Sequence, residues 1–157
     1  MSFIDTVGDP VDIASATNGS DFIAQIVLGY LEDTGNTISV LTALSPLPGG
    51  DYEYIFAVVE ADWESGEESR FLDGLDTLDI LPEKADRELA LSMIMTATDV
   101  LIEKAQIGKF FTYTPDVPDK SFVKYELIFR VFKEFGYTVT KGEAYLGITL
   151  WQVERVT

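Results

Sequence analysis

Apolar and polar positions along the chain follow two different periods, and the change from one to the other marks the elements. Residues 37–45 and 52–63 are dense in branched and aromatic side chains and predict two strands, joined by the loop Pro46-Leu47-Pro48-Gly49-Gly50. The polar run 64–69 predicts a turn, and 70–80 a third, irregular antiparallel strand containing Gly74. A three-and-four spacing then takes over. Leu89, Met93, Ala97, Val100, Leu101 and Ala105 form the buried stripe of a helix over 82–106. Pro82 suits its first turn, Glu83, Asp86 and Glu88 its positive end and Lys104 its negative end, and Gly108 stops it. Residues 109–114 predict a strand. A second helix over 118–135, capped by Asp116 or Asp119 and closed by Gly136, carries Phe122, Tyr125, Phe129 and Phe132 on one face. Val123, Ile128, Val131 and Phe135 lie beside them. Two strands, 137–141 and 144–156, end the chain, with Lys141-Gly142 at the turn between them.

The beginning is less sharply patterned. Residues 1–19 form a loosely ordered segment with turn signals at Gly8-Asp9-Pro10 and Asn18-Gly19-Ser20 and a short strand at 11–16. Residues 21–33 satisfy both periods. As a helix capped by Ser20-Asp21 and ended by Gly35-Asn36, they put Phe22, Ile23, Ile26, Val27, Tyr30 and Leu31 on one face; as a strand, they make a hairpin with 37–45. We take the helical spacing as the prediction. The order of elements becomes β-α-β-β-β-α-β-α-β-β. That is one α+β domain over 1–157, with a mixed, mainly antiparallel sheet and two to three packed helices.

Charge changes the picture more than composition does. The net charge is −16, and the first basic residue is Arg70. Residues 1–69 hold 13 acidic residues and no Lys or Arg, 70–104 hold 8 acidic and 4 basic, and 105–157 hold 6 acidic and 7 basic. The acidity therefore belongs to the first two-thirds and predicts a negative field on one side of the molecule. Direct nucleic-acid binding and anionic membrane binding both need clustered cations, and this distribution disfavours them. With no Cys and no His, disulfides, thiolate or imidazole metal sites and Ser-His-Asp or Cys-His catalysis are excluded. The absence of Cys and of a secretory-type N-terminus points to a cytoplasmic location.

The element order is similar to that of the GNAT acetyltransferases, in which a central sheet splits and acetyl-coenzyme A wedges into the opening. Tyr125 followed by Gly136-Tyr137 resembles a spacing of that family, and the fold implied is a GNAT-like topology. The same stretch, with 52–63 and 83–105, also resembles a group of uncharacterised tailed-phage proteins, in which a short Phe-containing strand precedes a helix start like Lys120 to Tyr125. That second resemblance implies a phage-encoded protein acting in the host cytoplasm. The chain departs from the acetyltransferases where they bind pyrophosphate on a glycine-rich turn opening the long helix. Here that place reads Ile80-Leu81-Pro82-Glu83-Lys84-Ala85-Asp86, with no glycine and several carboxylates, and no cofactor is expected.

Acidic residues are the candidate chemistry. Asp51, Glu53, Asp62, Glu64, Glu67, Glu68, Asp73, Asp76 and Asp79 are the candidate partner-binding residues, on strands and loops within 5–80. The run from Asp62 is also a conceivable calcium loop, but its sixth position is Glu67 and Gly66 stands one place early. Gly49-Gly50 lacks the lysine and helix of a phosphate loop and reads as a flexible turn. Trp63 and Trp151 read as core or edge-covering groups. Tyr113, Tyr125 and Tyr145 either line a groove or fill the core. Lys120, Lys124, Arg130 and Lys133 read as a solvated helix face. No catalytic residue is predicted. The leading expectation is a non-enzymatic protein that binds a basic protein partner, as DNA mimics and anti-defence inhibitors do. A virion or assembly component and a divergent GNAT-like acyltransferase are the alternatives.

Overall fold

The computed structural model describes residues 3–8, 11–18, 20–72, 81–115 and 119–156. The first strands are β1 (Phe3–Asp5), β2 (Ile13–Asn18), β3 (Asp21–Leu31), β4 (Thr37–Pro46), β5 (Tyr52–Ala61) and β6 (Glu68–Leu72). There follow α1 (Lys84–Ala105), β7 (Lys109–Pro115), α2 (Asp119–Glu134), β8 (Tyr137–Tyr145) and β9 (Ile148–Arg155). The nine described strands form one sheet, ordered β1-β3-β4-β5-β7-β9-β8, with β2 on the outer edge of β3 and β6 on β5. All pairings are antiparallel except β5 with β7, which meet only at Tyr52↔Phe110 and Glu53↔Phe111. The class is α+β with a mixed, mainly antiparallel sheet.

Residues 21–33 are not the predicted helix. β3 pairs with β4 from Phe22↔Leu44 to Tyr30↔Thr37, while β2 and β1 take its other edge. At period two, Ala24, Ile26 and Leu28 enter the core, and pairing on both edges satisfies the backbone groups that a helix would satisfy internally. Gly29 is required by this arrangement: a Cβ there would lie 1.9 Å from the Ile4 carbonyl oxygen. Two helices, not three, are present among the described residues.

Both helices pack on the same face of the sheet. Tyr54 of β5 touches each: its hydroxyl is 2.6 Å from Thr98 of α1, and its ring meets Phe132 of α2 edge-on with centroids 5.1 Å apart. Phe132 also meets Phe110 at 5.0 Å, and Phe129 packs on Trp151 at 4.9 Å. These aromatic contacts centre the core on β5, β7 and α2. On α1 the buried set is Ala90, Met93, Ile94, Ala97, Thr98, Leu101 and Ile102, so the predicted stripe is displaced and Leu89, Val100 and Ala105 are only half-buried. The helix starts two residues after Pro82 and ends on Gln106 in the left-handed region (φ 53), not at Gly108. Gln106 fills that place because its side-chain amide donates to the Glu103 carbonyl at 2.7 Å.

The last hairpin turns at Leu146-Gly147, both at positive φ, which gives the two-residue turn that right-handed strand twist favours. The predicted turn at Lys141-Gly142 is instead a bulge between Lys141 and Ala144. Glycine is needed there because a Cβ on Gly142 would come within 2.9 Å of the Leu150 carbonyl oxygen. The third antiparallel strand is β6; the remainder predicted over 73–80 lies outside the described residues, as does the Asp116 cap.

Candidate functional site

The turns at the two ends of β5 divide the predicted acidic residues into separate groups. Asp51 lies exposed in the β4–β5 turn, where the Leu47 N–H donates to the Asp51 carbonyl, and Glu53 stands half-buried one pair into the sheet. Asp62, Glu64, Glu67 and Glu68 lie at the opposite end, in and beside the β5–β6 turn. A ten-residue strand is about 33 Å long, so the two groups do not form one surface. Asp73, Asp76 and Asp79 lie outside the described residues.

What the structure adds is a second acidic turn beside the first. β4 pairs Thr37↔Ala61, which sets the β3–β4 turn next to the β5–β6 turn. The side-chain amide of Asn36 donates to a Glu60 carboxylate oxygen at 2.7 Å across this junction. Glu32 and Asp33, exposed in the β3–β4 turn, thereby join Glu64, Glu67 and Glu68. Sequence reading missed both because their proximity depends on strand register, not on spacing along the chain. Between the turns stands Trp63, 62% exposed, over Gly35; a Cβ on Gly35 would lie 3.3 Å from the indole Cδ1. Trp63 thus covers a turn and is not a core residue. Trp151 is half-buried and packs against the core: its indole N–H donates to the Thr114 hydroxyl at 2.8 Å, and its ring meets Phe129.

Asp62 has a local task. Its carboxylate accepts the N–H groups of Glu64 (2.9 Å) and Ser65 (3.0 Å) and the Ser65 hydroxyl, closing the turn around Gly66 at φ +73. The Ser65 and Glu64 amides hold its pKa below the usual aspartate value. Among the described residues no group of three or more Asp or Glu converges as a cation cage. The α1 N-terminus adds to the negative charge. Asp86, in its first turn, has a pKa raised by desolvation and by Glu83 and Asp5. The nearby cations are engaged: Lys84 pairs with Glu88 at 3.8 Å, and the Arg87 guanidinium donates to the Leu81 (3.1 Å) and Pro82 (2.6 Å) carbonyls.

A second feature lies where β5 and β7 part. A cleft of about 220 Å³ is lined by Glu53, Ile55, Phe56, Thr112, Tyr113 and Tyr125, with Tyr54 at its base. The Thr112 hydroxyl donates to the Tyr54 carbonyl at 3.3 Å, closing the narrow end. Both tyrosines line this cleft; Tyr125 is also buried, edge-on to Phe56 at 5.6 Å, and joins the core, whereas Tyr113 is exposed. The Tyr145 side chain lies outside what is described. Arg130 and Lys133 are solvated, as predicted. Among the described residues no helix is long and apolar enough to cross a membrane. No family model matches the chain, and no curated protein or solved structure matches it.

Proposed function

We propose that the protein is a non-enzymatic binding module whose acidic end engages a basic protein partner. The observation that carries the reading is the exposed Trp63 standing between two turns that hold Glu32, Asp33, Glu64, Glu67 and Glu68. Both turns come from residues 1–69, which contain no Lys or Arg. An indole face attracts the ammonium or guanidinium of an incoming chain, and the carboxylates around it steer that chain from a distance. An arginine-rich peptide followed by tryptophan fluorescence tests this. Binding weakens as salt rises, falls sharply in Trp63→Ala and in a Glu64→Gln/Glu67→Gln/Glu68→Gln variant, and is little changed in Asp51→Asn at the far end of β5. Affinity that does not depend on salt, or an Asp51 variant as weak as the Glu variant, refutes the assignment.

A GNAT-like scaffold is the second reading. It is supported by the order β5-β7-β9-β8 with two intervening helices, and by a parallel β5–β7 contact confined to two residue pairs. Acyl transfer does not follow from it. β6 takes the edge of β5 from Val58 to Ala61, on the side where β5 leaves β7, and α1 opens on Leu81-Pro82-Glu83 without a glycine. Calorimetry with acetyl-coenzyme A is expected to give no heat; saturable heat would restore the enzyme reading.

A further inference from the structure

The cleft between β5 and β7 changes character from its mouth to its interior. Tyr54 and Phe110 point to the helix side, toward Thr98 and Phe132, so Glu53, Phe111 and Tyr113 point to the other side of the sheet. The parallel ladder stops at Glu53↔Phe111, and the strands part there. Glu53 and Tyr113 therefore flank the mouth, while Phe56 and Tyr125, edge-on to each other at 5.6 Å, wall the cleft from the helix side. Glu53 is half-buried, yet among the described residues its carboxylate has neither an ion pair nor a hydrogen-bond donor. Lys109, on the same face of β7, is held elsewhere: its ammonium lies over the Phe111 ring, 5.3 Å from the centroid. Tyr113 is the next aromatic along that face. It is 41% exposed, and among the described residues no cation lies over it.

We propose that this cleft is a binding site for a quaternary ammonium group, seated among Tyr113, Phe56 and Tyr125 with Glu53 as its counter-ion. Charge selects a cation: an unpaired carboxylate stands at the mouth, and a net charge of −16 draws cations to the molecule as a whole. A metal ion fits poorly, because hard cations need several oxygen ligands and no group of three or more Asp or Glu converges among the described residues. A primary ammonium would give up hydrogen bonds to water that a single carboxylate cannot replace. N-methyl groups have no such bonds to lose, and ring faces attract the charge they carry. The volume of about 220 Å³ lies below the range of roughly 300–1,000 Å³ that suits drug-sized ligands, and it matches a trimethylammonium head with a short tail. A quaternary nitrogen accepts no acyl group, so the site is independent of the acyltransferase reading. Glu53 lies at the opposite end of β5 from Trp63, so it is also separate from the acidic end.

Titration of the full chain with choline, followed by calorimetry and by the ring resonances of Tyr113 and Tyr125, tests it. The control ligand is 3,3-dimethylbutan-1-ol, which has the shape of choline without the charge. Choline is expected to bind saturably and to shift both tyrosines, and the neutral analogue to bind about tenfold more weakly. Glu53→Gln and Tyr113→Leu should each weaken choline about fivefold at an unchanged melting midpoint, since neither side chain belongs to the buried core. Trp63→Ala should bind choline as the parent does. A trimethyllysine peptide titrated in parallel separates the two sources of such a group, a free metabolite and a modified protein tail, by which of them binds tighter. Equal binding of choline and its neutral analogue overturns the proposal, as does no binding of either cation at millimolar concentration. Choline affinity unchanged in both Glu53→Gln and Tyr113→Leu, or lost in Trp63→Ala, overturns it too.

Discussion

Tyr54 and Thr98 form a buried polar pair whose hydrogens can be assigned, and the assignment ranks the cost of breaking it. Thr98 has one hydroxyl hydrogen, and it goes to the Ile94 carbonyl at 2.7 Å. The 2.6 Å contact with Tyr54 is therefore donated by the phenol. Tyr54 is 2% exposed and Thr98 fully buried. Tyr54→Phe removes a donor and leaves Thr98 still donating, so only the net value of one hydrogen bond is lost, about 1 kcal/mol. Thr98→Val leaves the phenol as a buried donor without an acceptor, at about 1–3 kcal/mol. In Tyr54→Phe/Thr98→Val neither group remains and the unsatisfied donor is gone, so the double variant should be no less stable than Thr98→Val alone. Urea titration reads the free energies, and a melting midpoint falls by about 2–4 °C per kcal/mol in a chain of this length. The pair also sets an alkaline limit. Burial holds the Tyr54 pKa well above its ordinary value, against the opposing bond to Thr98. Both states keep the phenol protonated below pH about 10, so its contribution is intact there. As the pH rises further the unfolded chain ionises first and stability falls. Tyr54→Phe should remove this part of the alkaline slope. Tyr137, raised by desolvation against the lowering influence of Arg155, keeps a smaller part. A Tyr54→Phe variant less stable than Thr98→Val, or single costs that simply add in the double variant, would sink the assignment of donor and acceptor.

Two further outcomes test other parts of the structure. Gly29→Ala should force β1 away from β3, because its Cβ would overlap the Ile4 carbonyl; we expect about 1–3 kcal/mol of destabilisation and loss of amide protection confined to Phe3–Asp5 and its β3 partners. Asp86→Asn should stabilise the protein at neutral pH, since desolvation, Glu83 and Asp5 raise the native carboxyl pKa and penalise its charged form. Its advantage over the parent should vanish as the pH falls below about 4, where the carboxyl is neutral in both states, and an advantage that persists there would refute the electrostatic cause.

What the sequence determined by itself was local. Periodicity in 37–45, 52–63, 82–106 and 118–135 sufficed for two strands and two helices, because each segment fits one period and is bounded by Gly, Pro or a polar run. The charge asymmetry needed no structure either. Tertiary structure decided the rest, for three reasons. Residues 21–33 fit both periods, and only edges on both sides, from β2 and β4, made the extended form the one with every backbone group paired. Gly142 and Gly147 look alike in sequence, yet one relieves a close approach to Leu150 and the other turns the chain; the distinction lies in a neighbouring strand. The acidic candidates read as one set along the chain, but a strand separates the ends of that set by its full length. Register, not spacing, brought Glu32 and Asp33 to Trp63 in place of Asp51 and Glu53. Fold class was legible because burial patterns are local; the site was not, because a surface is assembled from residues that only pairing makes neighbours.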